Sequence, residues 1–283
     1  TSFMGLGGPN LVKGATGETS GAEELGGAAM HTQVSGVAHQ MAASDEECIA
    51  MLRARFRELP EGIALEAVAS QGDLYDLLPD DHRQPYDTSA VLEGILDQGS
   101  LEEHQPEYGS ELICARARLG GRAIGVIANR RGFLKTALGP RIGGIIYTES
   151  ARKAAYFVEV AERHGLPLLY LQDVSGFMVG KQAEESGIIR AGAEMVEAMS
   201  CANVPKIVLT LNHSSGAGYY AMAGQGFDPD FALAWPTARI GVMEGDSAVQ
   251  AIHGSKPGPE MADKIAQTRS DYDRWLDARY AAA

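Results

Sequence analysis

Two continuous apolar runs, each opening onto a glycine-rich loop, predict an α/β fold whose sheet is buried on both faces. The runs are Pro167-Leu168-Leu169-Tyr170-Leu171-Gln172 and Lys206-Ile207-Val208-Leu209-Thr210-Leu211. A helical stretch over 187–199 lies between them, and strands that alternate with helices build a sheet covered by those helices.

The elements follow in order. Phe3-Met4-Gly5-Leu6-Gly7-Gly8-Pro9 reads as the end of a strand entering a glycine-rich loop. A short helix is expected near Ala22-Glu23-Glu24-Leu25-Gly26-Gly27. A longer one runs over 44–59, because Ser44-Asp45-Glu46-Glu47 has the Ser-x-x-Glu pattern of a capping box. Tyr75-Asp76-Leu77-Leu78-Pro79 and Arg83-Gln84-Pro85-Tyr86-Asp87 read as extended linker, since proline disfavours helix at the residue before it. A domain boundary is placed there, dividing the chain into 1–87 and 88–283. A short amphipathic helix is expected over 90–96. The runs 113–119 and 123–128, joined at Gly120-Gly121-Arg122, form a hairpin. Helices follow over 148–164 and 187–199, and another starts at 218. Phe231-Ala232-Leu233-Ala234-Trp235 and Arg239-Ile240-Gly241-Val242-Met243 continue the sheet region, and a charged helix covers 263–282.

Composition narrows the function classes. With 45% hydrophobic residues, 283 residues can build a sizeable core, and the net charge of −13 argues against nucleic acid or an anionic membrane as the main partner. Cys48, Cys114 and Cys201 are odd in number and widely spaced, which points to a reducing cytoplasm rather than a disulfide framework. No apolar run is long enough to span a membrane and no secretory signal is visible. The seven histidines are scattered and never form His-x-x-x-His, so no metal site is expected. The ends, Thr1 without a methionine and Ala281-Ala282-Ala283 inside a helical pattern, read as cuts in a longer polypeptide.

Chemistry is sought at the loops. Ser214-Ser215-Gly216-Ala217-Gly218 follows a buried strand and precedes a helix, so its small residues admit a ligand and the amides of Ala217 and Gly218 can donate to an oxyanion or enolate. The same pattern also suits a tight turn with no ligand. It is not the Gly-x-Ser-x-Gly of a nucleophile elbow, nor a phosphate-binding Gly-Lys-Ser/Thr loop. Val174-Ser175-Gly176-Phe177-Met178-Val179-Gly180 lies at the C-terminal end of a strand, where α/β proteins place ligands; Gly176 and Gly180 bend the loop and Phe177 covers a flat ligand or caps the core. Gly143 and Gly144 allow close backbone approach. Arg141, with Arg130, Arg131 and Lys135, forms either an anion site or a surface charge cluster. His213 reads as a structural hydrogen-bonding residue, and Asp173 and Glu244 as isolated carboxylates with no paired spacing.

Six ordered segments carry a resemblance. They are Gly7-Gly8-Pro9 with Val12-Lys13-Gly14-Ala15-Thr16-Gly17-Glu18, Ala22-Glu23-Glu24-Leu25-Gly26-Gly27-Ala28, residues 173–180, Gly187-Ile188-Ile189-Arg190, Val204-Pro205-Lys206-Ile207 and Trp235-Pro236-Thr237-Ala238-Arg239-Ile240. Together they resemble the carboxyltransferase (beta) subunits of biotin-dependent acyl-CoA carboxylases, of the methylcrotonyl-CoA or propionyl-CoA carboxylase type, in the crotonase-like superfamily. The resemblance implies two crotonase-like domains per full subunit, each a ββα spiral, with acyl-CoA on the N-terminal domain and carboxybiotin on the C-terminal one. By it, 1–87 is the tail of the first domain and 88–283 most of the second, on the biotin side. It makes Ala217 and Gly218 the oxyanion donors, Gly176 and Phe177 the wall of the biotin pocket with Gly143 and Gly144 beside it, and Tyr220 the residue that tunes acyl-chain selectivity. It also implies biotin on a carrier protein or biotin carboxylase subunit as partner, and a homo-oligomer, a hexamer built as a trimer of dimers. Residues 139–147 look more like the decarboxylase branch, such as the glutaconyl-CoA decarboxylase alpha subunit, so the direction of carboxyl transfer stays open. Two alternatives remain: a biotin-free crotonase-like hydratase or isomerase, which needs a Glu/Asp pair that is not evident here, and a scaffold subunit without activity.

Overall fold

The computed structural model describes residues 2–35, 38, 40–57, 74–136, 139–254 and 258–281. The chain divides into two compact units, Thr1–Ala64 and Leu65–Ala283.

In the first unit, helix α1 (Pro9–Thr16) starts on a proline, whose missing N–H costs nothing there, and stops at Gly17, whose left-handed φ of 77° lets its amide reach the Lys13 carbonyl. Helices α2 (Ala22–Gly26) and α3 (Ala28–Met30) follow, the latter running into a π turn over His31–Ser35. Helix α4 (Asp45–Arg57) bears out the capping signal: Ser44 Oγ accepts from the Glu47 amide at 3.2 Å, while the Glu47 carboxylate accepts from the Ala43 amide. The expected strand at the start shrinks to one antiparallel bridge, Phe3 to Gly27, with the Met4 amide on the Gly26 carbonyl at 2.9 Å. Phe3 and Met4 are exposed, so no apolar gain extends the pairing.

The second unit is built on a seven-stranded sheet. Strands β1 (Glu102–His104), β2 (Leu112–Leu119) and β3 (Arg122–Asn129) pair antiparallel, and β7 (Leu168–Val174), β9 (Lys206–Ser215) and β10 (Phe231–Ala234) add to β3 in parallel. The β2–β3 hairpin turns at Gly120 and Gly121, both at positive φ, and the Asp97 carboxylate accepts both of their amides. Strand β9 is ten residues long: Ile207–Thr210 pair with β10, while His213–Ser215 pair with β11 (Arg239–Gly241). Two small pairs lie beside the sheet, β4 (Phe133–Thr136) with β5 (Gly139–Ile142), and β6 (Ile145–Ile146) with β8 (Gly176–Phe177).

All seven residues of β7 are buried, and they alternate between two cores. Leu168 and Tyr170 pack under α6 (Thr148–Arg163) and α8 (Ile188–Cys201) with Phe157, Met195 and Met199. Leu169 and Leu171 pack on the other face with Val91 and Leu92 of α5 (Thr88–Ile95). The remaining helices are α7 (Lys181–Glu185), α9 (Gly216–Ala221), α10 (Gly245–His253), α11 (Ala262–Leu276) and α12 (Ala278–Ala281).

Beyond the shortened strand at the start, the structure departs from the sequence expectation in four places. Residues 74–87 are not extended throughout: Leu74–Leu77 make a 3-10 turn, and Leu77, Leu78 and Tyr86 join the core beside α5, because three apolar side chains gain more by burial than by exposure. The expected linker also covers 60–73, which lies outside the described residues. Strand β9 runs four residues further, taking Asn212–Ser215 into the sheet, so α9 starts at Gly216. Strand β10 sits at the edge, where Phe231 and Leu233 are 63% and 54% exposed rather than buried. The last helix breaks at Asp277, which leaves helical geometry to bridge Arg239 of β11, while Leu276 fills a notch over Gly241 that a Cβ would obstruct.

Truncation in the two environments separates core from edge. Leu211→Ala, at a position with no exposed surface, is expected to lower unfolding free energy by about 2–5 kcal/mol. Leu233→Ala is expected to cost less than about 1 kcal/mol. Urea midpoints of the two variants check this.

Candidate functional site

The C-terminal ends of β7 and β9 lie side by side, and each ends in polar side chains buried below the loops that follow. Between the pairs Gln172–Thr210 and Val174–Ser214 the register shifts: Asp173 alone on β7 stands opposite Leu211, Asn212 and His213, so the bulge lies on β9. Gln172 accepts from the hydroxyls of Thr210 and Ser214, both at 2.8 Å, and donates to the Met222 carbonyl at 2.7 Å, just past the end of α9. One buried amide thereby ties β7, β9 and the helix that follows β9.

Asp173 is fully buried, which for a carboxylate requires several partners. Its Oδ1 accepts from the His213 amide and from His213 Nδ1, both at 3.1 Å; its Oδ2 accepts from the Tyr86 hydroxyl at 2.7 Å and faces Arg131 Nε at 3.2 Å. Burial first, then the adjacent Asp173 charge, pushes the Tyr86 phenol well above its ordinary pKa, so it stays a donor. His213 Nε2 lies 2.9 Å from His82 Nδ1 and 3.6 Å from Glu244 Oε1. Burial, followed by His213 and Arg239, lowers the His82 pKa. Asp173, His213 and Glu244, read as isolated from the sequence, form one network.

Above these strand ends lies an apolar hollow of about 460 Å³. Phe177 of β8, Ala217 and Tyr220 of α9, and Ile188, Ile189 and Val196 of α8 line it. Gly192 of α8 makes room for the Phe177 ring, which a Cβ there would approach to 3.1 Å. Ala217 is exposed at the start of α9, where first-turn amides have no carbonyl four residues back to bond. Gly218 stands behind it, buried; a Cβ there would lie 2.5 Å from Val174 Cγ2 and 3.0 Å from Gly176 Cα. Its glycine is thus demanded by packing, and this close approach holds α9 against the β7–β8 loop. Tyr220 is half exposed, with its ring edge-on to Tyr219 and Phe227.

The structure brings Phe177, Ala217 and Tyr220 to one hollow, with Gly176 and Gly218 immediately behind. Gly143 and Gly144 are not on its wall. They are buried in the β5–β6 turn, where the Gly144 carbonyl accepts from the Ser175 amide at 2.7 Å and a Cβ on Gly143 would meet the Arg130 carbonyl. The arginines do not converge on a ligand site: Arg130 pairs with Glu103 at 2.6 Å, Arg131 with Asp173, and Arg141 with Glu149 at 3.5 Å while lying over the Tyr147 ring. Among the described residues, no group of His, Cys, Asp or Glu is placed to hold a metal ion, and no helix is long and apolar enough to cross a membrane. Sequence reasoning missed Gln172 and His82; His82 gave no signal, while Gln172 gave a faint one. Two apolar runs end in Gln172-Asp173 and Asn212-His213-Ser214-Ser215, and polar ends on neighbouring buried strands must satisfy each other.

Residues 1–276 match the carboxyl transferase domain model. The chain is 39% identical over 255 residues to the biotin-dependent 3-methylcrotonyl-coenzyme A carboxylase beta1 subunit of Mycobacterium tuberculosis, covering 87% of this chain and 46% of that protein. It is 36% identical to the methylmalonyl-CoA decarboxylase subunit alpha of Veillonella parvula, covering 89% of this chain and 50% of that protein. The crystal structure of the P. aeruginosa geranyl-CoA carboxylase beta subunit superposes with a TM-score of 0.73 at 33% identity, covering 99% of this chain and 52% of that one. The chain spans about half the length of these relatives. With its α/β core and the loops at the ends of β7 and β9, it belongs to the carboxyl transferase domain family and has the crotonase-like fold of its structural neighbours.

Proposed function

We propose that this chain supplies the biotin side of a carboxyltransferase site, where a carboxyl group moves between carboxybiotin on a carrier protein and an acyl-CoA. The observation that carries this reading is the apolar hollow in which Ala217, at the first turn of α9, faces Phe177 across the ends of two buried strands. A fused bicycle with an apolar thioether half and a polar urea edge fits such a lining, and about 460 Å³ falls within the usual range of small-ligand sites. On this reading 88–283 is most of the C-terminal domain and 1–87 the tail of the N-terminal one.

Biotin, when bound, supplies the carboxyl group and the base. The chain's own residues supply position and electrostatics. Phe177 and the α8 side chains exclude water from one face of the hollow. The Ala217 and Gly218 amides are the donors for negative charge that develops on a bound oxygen, each contributing about 2.7–4 kcal/mol to the transition state. Gln172 and the Val174–Gly218 contact hold those amides in place before any ligand arrives, so little reorganisation is needed at the moment of reaction. A protein general base is not required in this scheme, consistent with the hollow's apolar lining.

Acyl-CoA and a biotin-carrying subunit are the partners on this reading, and a hexamer of this subunit, a trimer of dimers, is the assembly. A solved transcarboxylase 12S, 32% identical to this chain, is described as a hexamer with methylmalonyl-coenzyme A bound. The likeness to the Veillonella decarboxylase subunit supports transfer in the opposite direction as the second reading.

Three outcomes test the proposal. A subunit of the relatives' full length containing this chain is expected to transfer carboxyl between biotinylated carrier and an acyl-CoA, with avidin abolishing turnover; avidin-resistant, carrier-independent activity overturns it. Tyr220→Ala is expected to shift kcat/KM towards bulkier acyl groups by roughly 10–200-fold across an acyl-CoA panel. Gly218→Ala forces α9 away from Val174 and Gly176 and is expected to lower kcat more than it raises KM, measured by steady-state kinetics beside the melting temperature.

A further inference from the structure

Beneath the hollow, on the far side of the strand ends, the network around Asp173 opens into a second, polar hollow of about 500 Å³ lined by His82, His213, Arg239 and Glu244. Nothing in the carboxyl-transfer scheme uses it. Its geometry is nevertheless specific. The buried Asp173 carboxylate accepts hydrogen bonds and donates none, so His213 carries hydrogen on Nδ1 and presents a lone pair at Nε2. The 2.9 Å contact from that lone pair to His82 Nδ1 requires the hydrogen to sit on His82 Nδ1. The two rings meet edge to face, with centroids 4.9 Å apart. His82 Nε2 is then the end of the chain of bonds and its outlet to the polar hollow.

The chain of bonds is linked to the loops through the backbone. Asp173 shortly precedes Gly176 and Phe177, and it stands opposite the β9 bulge, which contains His213 and after which Val174 pairs with Ser214. His213 precedes Gly216 and Ala217 on β9, and its own amide bonds to Asp173. Resting on the reading of the site given above, we propose that His82, His213 and Asp173 form a proton-sharing relay that positions the Phe177 and Ala217 loops relative to each other. They are positioning residues, since none of them lines the apolar hollow.

Proton bookkeeping gives the relay its behaviour. With one hydrogen between the rings, His82 Nδ1–H donates to His213 Nε2. A first proton from solvent enters at His82 Nε2 and leaves this bond in place. A second leaves hydrogen on both His82 Nδ1 and His213 Nε2, and the 2.9 Å contact becomes repulsive. The charges that face the pair come from every neighbouring element: Asp173 from β7, Asp81 and Arg83 from residues 74–87, Arg131 from the β3–β4 connection, and Arg239 and Glu244 from β11 and its exit. Asp246, Arg269 and Asp273 complete the rim of the hollow. Because the His82 pKa is lowered in the folded chain, chiefly by burial, the unfolded chain binds the proton more readily; this ring's contribution to stability is whole above the ordinary histidine value of about 6.5 and is lost as pH falls.

Nitrogen-15 labelling of the histidines in the full 283-residue chain tests the relay directly, with no activity needed. The expected result at pH 7.5 is His213 protonated on Nδ1 and bare on Nε2. In His213→Gln, the His82 titration midpoint is expected to move, because His213 is among the groups that set it. The backbone amide signals of Phe177 and Ala217 are expected to move in the acid transition of the ring pair, and that movement is expected to shift or vanish in His82→Gln, a half-buried position where folding is kept. A hydrogen on His213 Nε2 at pH 7.5, or a His82 midpoint indifferent to His213, overturns the relay. Loop amides that ignore the transition overturn the positioning role. If carboxyl transfer fails while these signals behave as expected, the functional reading falls and the relay stands; where transfer is measurable, the acid limb of its pH profile is expected to differ between wild type and His82→Gln.

Discussion

Two neighbouring strands of a sheet buried on both faces end in polar residues, and the molecule's site depends on how those polar ends are satisfied. Apolar burial carries β7 and β9 through the core, but it says nothing about their separation at the C-terminal edge. Gln172 and Asp173 do. They are consecutive and therefore point to opposite faces, so one fastens the helix above the sheet and the other fastens the histidine network below it. An uncompensated amide or carboxylate in that setting costs several kcal/mol, which makes the bonded arrangement far more favourable than its alternatives.

This division of labour explains why the apolar hollow can be nearly free of charged groups. The atoms that define its shape, Phe177, Ala217 and the Gly218 contact with Val174, are held by neighbours outside it. On the reading proposed above, the Ala217 and Gly218 amides stand beside an apolar wall that offers a bound oxygen few competing polar neighbours. The paired arginines act in the same sense. Arg130, Arg131 and Arg141 each spend their charge on a carboxylate of the same unit, so they brace the β3–β6 region and put no guanidinium on the wall of the hollow.

Periodicity made most of the fold legible. The hairpin at Gly120-Gly121, the helices α6 and α8, and the buried strands β7 and β9 all follow from local pattern, because each buries a face that its own residues define. What local pattern could not show was context. Phe231 and Leu233 look like core residues in sequence, yet β10 has a neighbour on one side only among the described residues. Gly143 and Gly144 have the composition of a ligand loop, and in the fold Gly143 lies against the Arg130 and Arg131 backbone while Gly144 lies against the Arg131 side chain and the Asp173 carbonyl. The arrangement of the site was partly readable: Phe177, Ala217 and Tyr220, brought together in the sequence only by the family resemblance, line one hollow, while His82 and His213 are 131 residues apart and no spacing rule connects them.

The length of β9 gives the C-terminal helices a part in the architecture of the hollow. The first half of the strand is held by β10, but the half from which α9 springs is held by β11, and β11 is itself pinned by Leu276 in the Gly241 notch and by the Asp277 bridge to Arg239. A perturbation in the last two helices therefore travels along hydrogen-bonded backbone to the first turn of α9. In mechanical terms, the end of the chain acts as a clamp on the root of the helix that carries Ala217, and the stiffness of the hollow is set in part by residues that never touch it.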